Sequence, residues 1–166
     1  MIALDTEYSD VGVLYGFLDL SSDEFKQFWF DEKDKAVEYL SKKKDYIFIH
    51  WGGADKKLLK EELNCDARTL NMLYYVQTSL VAPISSAGLR DVYDTLCGHR
   101  EDKLWEKSFY GIDGLYKLML CNRILADPNN MSAREELAEA NKVDILALKE
   151  IVEKLRRLPP PKRLHN

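Results

Sequence analysis

Apolar positions in the first fifty residues come in short, dense runs. Ile2-Ala3-Leu4 is compact and ends abruptly in Asp5-Thr6-Glu7. Val11 to Leu20 is β-branched and aromatic, and Phe25, Phe28, Trp29 and Phe30 predict a third strand joined to it as a hairpin through Ser21-Ser22-Asp23. Lys33 to Lys44 then changes period, with Ala36, Val37 and Leu40 on one side of a predicted helix. Tyr46-Ile47-Phe48-Ile49 is an uninterrupted apolar run of the kind that forms a buried parallel strand.

From Gly52 onward the spacing is helical. Helices are predicted over Asp55 to Leu63, Ala67 to Leu80 (broken by Pro83), Ser86 to Leu96, Ile112 to Leu125 and Ser132 to Leu158. Ser132 and Glu135 stand as a capping box for the last. Strands first, then one crossover helix, a strand and several helices spell an α/β fold. Its expected sheet is mixed, with antiparallel N-terminal strands beside a parallel one, and its C-terminal half is helix-rich. Residues 1–158 read as one domain; Pro159, Pro160 and Pro161 end the last helix and open a basic tail, 159–166.

Composition narrows the function classes. A chain of 166 residues with 46% hydrophobic and 31% charged positions has an ordinary globular balance. Its net charge of −4 means that nucleic-acid binding, if present, must come from a local basic patch or from bound cations. No apolar stretch is long enough to span a bilayer, and MIALDTEY lacks the regions of a signal peptide, so no membrane role is expected. Cys65, Cys97 and Cys121 make neither a metal knuckle nor a disulfide framework, which fits a reducing, cytoplasmic setting.

Four acids stand where an inert protein has little use for them. Asp5 and Glu7, two apart on a strand, share a face, where like charges repel and resist desolvation unless a cation separates them. The plainer alternative is an exposed turn after the strand. Asp55 follows the strand end His50-Trp51-Gly52-Gly53, where ligands collect in open α/β sheets; an N-cap aspartate is its alternative. Leu137, Asn141, Asp144, Leu148, Ile151, Leu155 and Leu158 trace one helical stripe, so Asp144 points at the core. A buried acid is costly unless a metal, or alternatively a partner Arg or Lys, compensates it. Four carboxylates without His or Cys favour Mg²⁺ or Mn²⁺, with two ions expected.

The order Asp5-x-Glu7, His50-Trp51-Gly52-x-x-Asp55 and Asn141-x-x-Asp144 resembles the DEDD-type 3′–5′ exonucleases of the RNase H-like superfamily, and more narrowly the YprB-like branch. Ser85-Ser86-Ala87-Gly88-Leu89-Arg90-Asp91-Val92 running to Cys97-Gly98, and Asp113-Gly114, are similar to further pieces of that branch. The resemblance implies an RNase H-like sheet and cleavage of a nucleic-acid strand, with Asp5, Glu7, Asp55 and Asp144 as catalytic metal ligands. Where those exonucleases place Tyr or His, this chain has Ala140 and Glu139, so Glu139 is the candidate base unless the ions generate hydroxide unaided.

Substrate contacts are expected from Tyr8 and Trp51 by stacking, from Lys56 and Arg90 by charge, and from His50 and Asn141 beside the acids. The run Lys154, Arg156, Arg157, Lys162, Arg163 is either a phosphate-binding patch or a helix end whose cations complement the macrodipole. Together these expectations describe a divalent-metal nuclease, a 3′–5′ exonuclease acting on single-stranded DNA or RNA ends. The alternative is a catalytically weak or inactive RNase H-like module that binds nucleic acid or protein.

Overall fold

The computed structural model is described over residues 1–79, 88–98 and 113–158. The chain is α/β, with a five-stranded mixed sheet in the order β3-β2-β1-β4-β5. β1 (Ile2–Tyr8), β2 (Gly12–Asp19) and β3 (Glu24–Trp29) form an antiparallel meander. β4 (Ile47–His50) runs parallel to β1, and β5 (Arg68–Asn71) runs parallel to β4. The helices are α1 (Lys33–Ser41), α2 (Ala54–Glu61), α3 (Met72–Ser79), α4 (Leu89–Leu96), α5 (Asp113–Ala126) and α6 (Met131–Arg156). Among the described residues no helix is long and apolar enough to cross a membrane.

Alternation along β1 divides the core. Ile2 and Leu4 point to one face and pack with Tyr15, Phe17, Phe48 and side chains of α1 and α2 such as Leu40 and Leu59. Ala3 points to the other face, where α6 contributes Ile145, Leu148 and Val152. Farther along that face α5 and α6 meet through Leu120, Cys121, Ile124 and Leu137. Asp5 and Glu7 continue the sequence of Ala3 and so project toward α5 and α6.

Four local readings need correction. The apolar run at Ile2–Leu4 is not a complete strand: β1 continues to Tyr8, because pairing with β2 persists through Glu7 opposite Leu14. The acids are therefore part of a central strand, which excludes the exposed-turn alternative. Residues 68–71 are strand and not helix; they alternate in exposure, pair with β4, and end where Asn71 Oδ1 accepts the Tyr74 amide at 3.1 Å to start α3. The cap of α6 is Asn130, whose side chain accepts the Ala133 amide, so Ser132 and Glu135 form no capping box there. Gly53 is the N-cap of α2, leaving the Asp55 carboxylate for another partner. The sequence readings at residues 80–87, 99–112 and 159–166 lie outside the described residues.

Gly16 decides how close α6 comes to the sheet. It pairs with Asp5, and a Cβ on it would stand 2.1 Å from Asn141 Oδ1 and 2.4 Å from Ile145 Cδ1. Those neighbours are a buried polar side chain and a core aliphatic, neither of which has room to retreat. Gly16→Ala is expected to cost about 1–3 kcal/mol in urea denaturation by displacing α6. An unchanged unfolding midpoint would show that the helix does not need this contact.

Candidate metal centre

β1 presents Asp5 and Glu7 on one face, and α6 brings Asp144 down onto them. Carboxylate oxygens of these residues all lie within 4.8 Å of one another. Glu7 is buried, while Asp5 and Asp144 are partly buried. Sequence spacing anticipated this convergence.

Asp5 is held in place from α6. Asn141 Nδ2 donates to the Asp5 backbone carbonyl at 3.1 Å and to its Oδ2 at 2.8 Å. Asn141 Oδ1 in turn accepts from Gln27 Nε2 at 2.9 Å, and the same amide donates to the Ala138 carbonyl at 2.8 Å. Because Asn141 is fully buried, it does not meet substrate; it fixes the direction of the Asp5 carboxylate.

A cation already stands at the cluster. Lys117 Nζ donates to Glu7 Oε1 at 2.6 Å and to Asp144 Oδ2 at 2.5 Å. The partner-lysine explanation of Asp144 is therefore correct as far as it goes. It does not close the charge balance, since three carboxylates face this ammonium. Burial, then the neighbouring Glu7, hold the Asp5 carboxyl well above its ordinary range, against the opposing pull of Lys117. Burial raises Glu7 as well, with Lys117 again opposing and Asp144 adding to the rise.

Asp55 is nearby but turned elsewhere. Pairing of β1 with β4 covers Ile2 and Ala3, so the β1 edge beyond them is open to α2. Asp55 Oδ1 fills it, accepting the Thr6 amide at 3.0 Å and the Thr6 hydroxyl at 2.7 Å. It is not among the three acids of the cluster, although its charge adds to the rise at Asp5. Burial raises the Asp55 carboxyl itself. His50 is buried behind it, its Nδ1 against the Gly52 carbonyl, which makes Nδ1 the protonated nitrogen and leaves Nε2 without a partner among the described residues. Burial lowers the His50 pKa, and a ring so covered is structural and does not contact substrate.

The remaining expected contacts divide by exposure. Tyr8, next to Glu7, is 46% exposed and presents its ring outward. Lys56 is exposed at the start of α2. Trp51 is half-buried and packs against the core that includes Val92, Val143 and Ile151, and the Arg90 side chain lies low with Nε 3.6 Å from Asp94. Neither offers a free stacking or phosphate-binding group. Glu139 lies on the solvent side of α6, 3.8 Å from Lys142, and cannot serve the cluster as a base. Lys154 stands ten residues beyond Asp144 on α6, about 15 Å along the axis, so the basic end of that helix is not part of the centre.

Gly16, Gln27, Thr6 and Lys117 were missed. Only Lys117 had a signal: with Leu120, Cys121 and Ile124 it follows the inward spacing i, i+3, i+4, i+7, an unusual place for a lysine.

The donor set suits a hard divalent cation. Ligands around one Mg²⁺ at about 2.1 Å lie about 3 to 4 Å apart, close to the spread seen here, and an all-carboxylate group gives zinc none of the His or Cys it prefers. No protein-family model matches the chain, and no curated protein matches it.

Proposed function

We propose that the protein is a divalent-cation-dependent nuclease that hydrolyses phosphodiester bonds of nucleic acid, with Mg²⁺ or Mn²⁺ held by Asp5, Glu7 and Asp144. The observation that carries this reading is the gathering of three buried or half-buried carboxylates within 4.8 Å around a single lysine, more negative charge than the protein neutralises. When bound, such an ion supplies an activated water and positive charge beside a phosphate. Asn141 and Gln27 keep Asp5 aimed at the cluster, and Thr6 holds Asp55 beside it. The exposed Tyr8 ring and Lys56 ammonium give an unpaired base and a phosphate something to meet at the rim. Action on 3′ single-stranded ends rests on the DEDD-type resemblance.

A second reading, an RNase H-like module that binds without cleaving, is favoured by Lys117, which meets two of the acids without any metal. Incubation of labelled single- and double-stranded DNA and RNA with Mn²⁺ separates the two. The nuclease reading expects cleavage that falls about 100-fold in Asp5→Asn, roughly 2.7 kcal/mol of barrier. Absence of cleavage in the wild type favours the binding module, and cleavage untouched by the substitution overturns the assignment of the site to Asp5.

The raised Asp5 carboxyl also predicts a stability effect. A group whose pKa is higher folded than unfolded stabilises the fold while protonated, and that contribution is lost as pH rises. In chelator, Asp5→Asn should therefore raise the melting temperature at alkaline pH, with the gain shrinking as pH falls through the raised range of the Asp5 carboxyl. His50, whose lowered pKa works in the opposite direction, is common to both proteins and cancels. A variant less stable than wild type at the higher pH would show that Asp5 bears no burden of unmatched charge.

A further inference from the structure

We infer that Lys117 permanently takes the place of one of the two cations expected at this centre, so that the chain loads a single divalent ion. The inference rests on the nuclease reading of the cluster and changes its ion count. It begins from where the lysine is anchored. Lys117 belongs to the inward stripe of α5 with Leu120, Cys121 and Ile124, all buried in the core shared by α5 and α6. Its side chain is 12% exposed, and its stem is fixed by the packing of the helix that carries it.

Two oxygens that a second ion would need are already engaged, Glu7 Oε1 at 2.6 Å and Asp144 Oδ2 at 2.5 Å from Nζ. An ion bound to the same two atoms at about 2.1 Å would have to share them with the ammonium at close like-charge range. Charge points the same way. One divalent ion and one ammonium match Asp5, Glu7 and Asp144 exactly in number of charges, whereas two divalent ions beside Lys117 exceed them. Asp55, the fourth acid, has Oδ1 committed to the Thr6 amide and hydroxyl on the far edge of β1. The carboxylate oxygens of Asp5, Glu7 and Asp144 that Lys117 does not engage remain for one ion.

Mn²⁺ titration of the full chain, followed by the electron paramagnetic resonance of the free ion, counts the sites. Wild type should bind one Mn²⁺, lost in Asp5→Asn, and Lys117→Met should bind two. Two ions on wild type, or one on a folded Lys117→Met, overturns the inference and leaves the metal centre standing. No binding to wild type removes the nuclease reading and this inference together. Should Lys117→Met fail to fold, acetylation of wild-type Lys117 by acetic anhydride, mapped by mass spectrometry, decides the matter. Equal protection with and without Mn²⁺ is the expected result; faster acetylation in the loaded protein means that the ion displaces the lysine, and overturns it.

Discussion

Like charges packed beside one another in a poorly solvated place repel strongly, and the arrangement around β1 depends on how that repulsion is met. Asp5 and Glu7 lie on a central strand that cannot bend away, with β2 paired along its length. Asp144 comes down from α6, whose approach is set by the missing side chain at Gly16 and by Asn141 reaching into the sheet. Each feature that rigidifies the fold here also tightens the crowding of carboxylates. Lys117 relieves part of it; the rest remains as raised carboxyl pKa values at Asp5 and Glu7.

A stable fold has simpler ways to fill that volume. Apolar side chains of similar size in place of a buried charge cluster are often neutral or stabilising. The helices that face the cluster carry such buried side chains, Leu120 and Ile124 on α5 and Leu137 and Ile145 on α6. Acids maintained in that setting, with a buried amide relay from Gln27 aiming one of them, are the physical support for reading the place as a cation site. The same facts fix how the nuclease and binding-module readings differ: they differ in whether a divalent ion or the lysine alone balances the charge.

Much of the scaffold was legible because it follows from periodicity. The meander, the parallel strand at residues 47–50 and the long last helix all answer to alternation or to helical spacing. So does the meeting of Asp5, Glu7 and Asp144, since two strand positions of equal parity and one inward helix position can converge once α6 covers that face. What spacing does not encode is which polar groups pair. Asn141 seemed a substrate contact because it stands one turn from Asp144, yet the gap over Gly16 lets it bury itself against Asp5. Asp55 looked like a fourth ligand or an N-cap, and its destination was decided by the short pairing between β1 and β4. β5 is four residues long, too brief for its alternation to stand out beside the helix that follows. Lys117 was visible as an inward-facing cation, but only when its helix is read by face and not by apolar content.

The central claim is that these carboxylates form a cation site. A crystal structure of the full chain grown with Mn²⁺, with data collected at the manganese absorption edge, tests it most directly. The account predicts an anomalous peak bonded to oxygens of Asp5, Glu7 and Asp144. A map without manganese at that cluster, with Lys117 bridging Glu7 and Asp144 and Asp5 left to Asn141 alone, would contradict it.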